Sequence, residues 1–129
     1  MPAPILDLFA EQGAKYELEL VLESVTGSGV DLASYTKGVM QVRRSTEATS
    51  VDKVLEIDNN SVWVEGVTGT GGISLNYGGV TGTVFVEVDA TSMGNMPAGK
   101  YFYEIELAHA TEPLKLCKGK FILEAGAVR

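Results

Sequence analysis

The chain is 129 residues long, which is one domain by size, and carries 10 Lys and Arg against 17 Asp and Glu, a net charge of −7. That acidic balance is repelled by phosphate backbones and anionic lipid, so nucleic acid and membrane surfaces are not expected partners. A single Cys and a single His exclude an internal disulfide, a cysteine metal site and a paired-histidine zinc site.

The opening "MPAPILDLFAEQG" contains no Lys or Arg and only a short apolar run, which reads against a signal peptide and for synthesis in the cytosol. Residues 1–14 read instead as an N-terminal docking arm, helical or extended. Pro4 suits a first helical position, Ile5, Leu8 and Phe9 share a helical face, and Gly13 suits the position past a helix end. Roughly ten residues are too few for a helix that stands alone, so the arm must pack on something. The strands that follow are expected to close a core without it. Its seat is therefore expected on a neighbouring subunit, with Ile5, Leu6, Leu8 and Phe9 as interface residues. Burying each such side chain is worth about 1.5–3 kcal/mol.

From Lys15 onward the dominant period is two. In "KYELELVLES", Tyr16, Leu18, Leu20 and Leu22 fall on one face and Glu17, Glu19 and Glu23 on the other, a half-buried antiparallel strand. "TGSG" at 26–29 is turn chemistry. The next strand region puts Met40 and Val42 inward and Gln41 and Arg43 outward, with Gly38 marking a bulge or bend. "VLEI" (54–57) and "SVWVEGV" (61–67) flank the hairpin turn Asp58-Asn59-Asn60, and "GISLNY" (72–77) and "TVFVEV" (83–88) flank "GGVTG" as a second hairpin. "DATSMGNM" (89–96) reads as a short crossover with about one helical turn.

In "MPAGKYFYEIEL" (96–107), Pro97 and Gly99 reverse the chain into a strand. Tyr101, Tyr103, Ile105 and Leu107 are its core face, and Phe102, Glu104 and Glu106 its other face. After "HATEP", "LKLCKGKFILEA" (114–125) is the last strand, with Cys117 as a small buried hydrophobe. The count is seven or eight short strands separated by turn signals, an all-β antiparallel sandwich over residues 15–129.

No catalytic constellation emerges. His109 stands at a strand end without a nucleophile or an orienting acid beside it. "GVTGTGG" is followed by neither Lys-Ser/Thr nor a helix, so it is not a phosphate cradle. Asp58-Asn59-Asn60 lacks the later bidentate Glu of a calcium loop. The alternating pairs Glu17/Glu19 and Glu104/Glu106 read as solvated acidic faces or polar subunit contacts. Trp63 reads as a core or interface residue; the competing use, stacking on sugar together with Tyr77, defines a carbohydrate-binding alternative. No catalytic residue, cofactor or metal is expected.

Several segments together resemble a known family. "GVDLASYTKGVMQVR" (29–43) is similar to a segment recurring in small structural proteins of tailed bacteriophages. "GGISLNYGGVTGTVFVEVDATSMGNM" matches their glycine-bounded hairpin and Thr/Ser-rich crossover. "MPAGKYFYEIEL" and "LCKGKFILEAGAVR" resemble their Pro-Ala-Gly-x-Tyr-x-Tyr strand and their closing strand. The resemblance covers most of the chain from Tyr16 onward. It implies an immunoglobulin-like sandwich and a non-enzymatic virion subunit that bridges other virion proteins in the tail, baseplate or fibre-attachment region. It further implies several copies per particle and homo-oligomeric contacts. A capsid decoration protein is the alternative within that class.

Overall fold

The alternating polarity of the sequence becomes strand after strand in a computed structural model that describes residues 5–22, 31–44, 53–59, 61–109, 111 and 113–126. In chain order these are β1 (Leu8–Glu11), β2 (Tyr16–Val21), β3 (Lys37–Arg43), β4 (Lys53–Ile57), β5 (Val62–Val64), β6 (Val67–Gly69), β7 (Gly71–Leu75), β8 (Thr83–Val88), helix α1 (Ala90–Gly94), β9 (Gly99–Ala108) and β10 (Leu114–Glu124). A seven-stranded sheet runs β1-β10-β9-β3-β4-β5-β6 and a three-stranded sheet runs β2-β8-β7. The fold is an all-β sandwich.

The large sheet centres on β3, β9 and β10, with β4, β5 and β6 extending it on one side and β1 on the other, and β2, β8 and β7 form the second layer. The pairs are antiparallel, except that β1 runs parallel to β10.

The core lies between the sheets, and each strand supplies it from alternate positions. Met40 and Val42, Leu55 and Ile57, Val62 and Val64, Val84, Val86 and Val88, Tyr101, Tyr103, Ile105 and Leu107, and Phe121 and Leu123 are all buried in one cluster. The faces assigned to β3 and β9 from the sequence are those observed. On β2 only Tyr16 is fully buried. Leu18, Leu20 and Leu22 pack partly against the core, as expected where β2 forms the edge of the smaller sheet. Tyr16 meets Phe121 edge-on, with ring centroids 5.4 Å apart.

Both expected hairpins form, β4 with β5 and β7 with β8. The expected turn at 26–29, and Asn60 in the first hairpin, lie outside the described residues. The crossover is a single helical turn, α1, whose N-cap Asp89 accepts a hydrogen bond from the backbone N–H of Ser92 at 3.2 Å. The reversal at Pro97 is locked from the strand that follows it: the Tyr101 hydroxyl donates to the Pro97 carbonyl four residues upstream.

Three expectations are corrected. The strand "SVWVEGV" is two strands, because Glu65 (φ 47°) and Gly66 (φ 88°) both take positive φ and form a tight reversal between β5 and β6. This reversal and β1 bring the strands among the described residues to ten, where seven or eight were expected. Gly38 is not at a bulge, since β3 runs in unbroken register with β9 through it. A Cβ at Gly38 would lie 2.8 Å from the Ile73 Cγ2 atom, so glycine is there to let β7 approach.

Of the two forms open to the arm, helical or extended, its described part takes the extended one. β1 joins the edge of β10, pairing Leu8 with Phe121, Phe9 with Ile122, Ala10 with Leu123 and Glu11 with Glu124. The Leu6 and Gln12 N–H groups donate to the Lys118 and Glu124 carbonyls, each at 2.8 Å. A segment too short to close a stable helix gains more from a preformed strand edge, which satisfies its backbone at once. The alternation is again two: Leu8 points into the core and Phe9 away from it. Gly13 does adopt positive φ (81°), but it turns the chain from β1 towards β2 and does not end a helix. Pro4 lies outside the described residues. The third correction concerns the arm's seat: β1 pairs with β10 of its own chain and Leu8 enters the core, where a seat on a neighbouring subunit was expected.

Candidate functional site

The edge formed by β1 is the most distinctive surface. Three of the residues expected at an interface are exposed there: Ile5 at 77%, Phe9 at 64% and Leu6 at 42%. The remaining one, Leu8, is 6% exposed and belongs to the chain's own core. Burial of Leu8 and the backbone pairing to β10 fix the strand, and that leaves Ile5 and Phe9 on the outer face as a consequence of the two-residue period. Scattered apolar residues on a surface are ordinary, but a row along one sheet edge is a surface suited to contact.

Two features hold this edge in place. Tyr103, buried on β9, sends its hydroxyl to the Leu6 carbonyl, and Cys117 Sγ lies 3.6 Å from the same hydroxyl. Between them Gly119 leaves the necessary space, since a Cβ there would fall 2.4 Å from the Leu6 oxygen. The backbone N–H of Lys120 donates to Asp7 Oδ1 at 3.0 Å. Burial pushes the Tyr103 phenol far above the ordinary tyrosine range, with Cys117 adding to the shift, and burial likewise pushes the Cys117 thiol up. The thiol is thus an inert packing group in this environment.

Beside the edge, the outer face of the large sheet forms a groove of about 470 Å³. Arg43, Phe102, Lys118 and Lys120 line it, with Ile5 and Asp7 as its wall. Next to it the polar side chains are chained together. Arg43 Nη2 donates to Gln41 Oε1 at 2.5 Å, Gln41 Nε2 donates to Glu56 Oε2 at 2.6 Å, and Lys53 Nζ lies 3.4 Å from the same carboxylate oxygen. Lys115 joins Glu104 at 2.7 Å and Glu106 at 3.4 Å, so this pair of glutamates is neutralised in part by a neighbouring strand. Those bonds hold the Lys115 ammonium pKa above its ordinary value.

The other residues weighed in the sequence do not converge. His109 packs edge-on against Tyr35 at 5.5 Å, and its Nδ1 accepts from the Thr111 N–H at 3.2 Å. Trp63 is half-buried, and not in the core: it faces outward between Val62 and Val64 with Lys53 Nζ 5.0 Å from its ring centroid. Tyr77 stacks on Phe85 at 4.4 Å on the outer side of the small sheet, so Trp63 and Tyr77 do not form a shared platform. Glu17 has Lys15 at 3.9 Å, and Lys15 also reaches Glu87 at 3.5 Å. Among the described residues there is no group of three or more His, Cys, Asp or Glu side chains able to hold a metal ion.

One structural device escaped sequence reading. Asn76, itself at φ 52°, accepts from the N–H groups of Leu32 (3.2 Å) and Gly82 (3.0 Å) and donates to Asp31 Oδ1 (3.0 Å). A nearby Asn59 accepts from the Gly38 N–H at 3.1 Å and donates to the Thr36 carbonyl at 3.2 Å. The two asparagines tie loops to strands at one end of the sandwich, and only the positive φ of Asn76 has a recognisable sequence signal. The chain matches no protein-family model, and no curated protein matches it either.

Proposed function

We propose that this chain is a non-enzymatic structural subunit of a tailed-bacteriophage particle, bridging other virion proteins in the tail, baseplate or fibre-attachment region. The observation that carries the reading is that Ile5 and Phe9 are exposed on the outer side of the edge built on β1, with Leu6 exposed beside them and the backbone already held by its own domain. Such an edge presents apolar side chains on a rigid support, so little conformational entropy is lost when a partner covers them. The resemblance of residues 29–43, 71–107 and 116–129 to small phage structural proteins supplies the class of particle. The partners are other virion proteins, with several copies of this chain per particle.

Gold-labelled antibody raised against the purified chain, imaged on intact tailed particles, tests this. Label at the tail, baseplate or fibre attachment is expected. Label over the capsid surface would favour a decoration protein instead, and particles without any label would end the virion reading.

A further inference from the structure

The outer faces of the two sheets carry patches of opposite charge, although the chain as a whole is acidic. On the large sheet, Arg43, Lys118 and Lys120 surround Phe102 in the groove. Its two carboxylates are already engaged, Asp7 by the Lys120 N–H and Glu104 by Lys115, while Lys118 and Lys120 make no ion pair among the described residues. On the small sheet, Glu17 and Glu19 of β2 and Glu87 of β8 face outward, with Glu17 directly opposite Glu87 across the pair. Lys15 is the cation that reaches this group, touching Glu17 and Glu87, and Glu19 makes no ion pair among the described residues. The same face carries the Phe85 and Tyr77 stack beside Glu19, which pairs with Phe85 in register.

We infer that the occupant of the basic groove is the acidic outer face of a second copy of this chain. Copies carrying −7 repel one another at long range, and an approach that sets Lys118 and Lys120 against Glu17 and Glu19 brings opposite charges together instead. Each face also brings an aromatic side chain to the contact, Phe102 on one and the Tyr77–Phe85 stack on the other. The faces are different surfaces on opposite sides of one domain. The contact is therefore heterologous, and repetition gives a ring or a stack, not a closed two-fold dimer. The inference rests on the reading of the chain as an assembly subunit and names the self-contact within it.

Sedimentation velocity of the purified full chain over a concentration series tests it. At about 0.01 M salt, where the Debye length is about 30 Å, association beyond a dimer is expected, and at about 1 M, where it is about 3 Å, monomers. Lys118→Gln with Lys120→Gln, and separately Glu17→Gln with Glu19→Gln, remove charge at exposed positions and should each weaken association at least about tenfold, which is about 1.4 kcal/mol. Mixing the two double variants is decisive. Each retains one competent face, so the mixture should form a 1:1 complex that grows no further. A wild-type chain that stays monomeric at low salt, variants that associate like wild type, or a mixture that remains monomeric would overturn the inference. Such a failure would leave the particle labelling above untouched, so the two readings fall separately.

Discussion

The Tyr103 hydroxyl and the Leu6 carbonyl, 97 positions apart in the chain, meet in a hydrogen bond that fastens the N-terminal strand to the centre of the large sheet. The bond joins a core residue of β9 to the arm by reaching past β10, which lies between them in the sheet. Tyr103→Phe should therefore keep the core packing and loosen the arm. The expected cost is about 0.5–1.5 kcal/mol, the usual net worth of one such bond, with faster amide exchange confined to Leu8–Glu11. Tyr103→Ala also opens a cavity and should cost about 3–5 kcal/mol. Equal melting of the two variants would show that the ring, and not the hydroxyl, is unimportant.

Gly119 should be nearly irreplaceable for the same reason. Its absent Cβ would sit 2.4 Å from the Leu6 oxygen and 3.0 Å from Asp7 Oδ1, both on the arm. Gly119→Ala is expected to destabilise by about 1–3 kcal/mol, as overpacked positions do, and to release β1 before the rest of the sheet. Exchange protection of Leu8–Glu11 identical to wild type would contradict this.

Asp89 gives the fold an acid-sensitive point. The hydrogen bonds from Ser92 hold its carboxyl below the ordinary aspartate range. A depressed folded value means that the stabilisation is present above the unfolded value near about 4 and is lost as pH falls through the folded one. Asp89→Ala should cost about 1 kcal/mol at neutral pH, the usual worth of an N-cap. In chemical denaturation across pH, the gap between wild type and variant should narrow below about pH 4. A gap that is constant or widens on acidification would assign the effect to packing.

Most of the sandwich was legible because its strands are half-buried, and half-burial writes itself as alternation. Met40 and Val42, or Tyr101 to Leu107, could be placed on a face from the period alone. What escaped depended on partners remote in sequence. Phe9 looks helical beside Ile5 and Leu8 until the edge of β10 is present to pair with it. Glu65-Gly66 hid a reversal because glutamate seldom adopts positive φ, and Gly38 read as a bulge because Ile73 lies far along the chain. The interface residues were named from hydrophobicity, which cannot tell that Leu8 turns inward while Ile5 and Phe9 turn out.

That division of the arm yields the most direct measurement of the account: incorporation into the particle of a chain carrying Ile5→Ser and Phe9→Ser. Both side chains are exposed, so the isolated variant should melt within about 0.5 kcal/mol of wild type, as surface substitutions do. Quantified by mass spectrometry of purified tailed particles, the variant should be absent or strongly depleted while the wild-type chain is present. Incorporation at the wild-type level by an equally stable variant would contradict the claim that this edge is the surface through which the chain assembles.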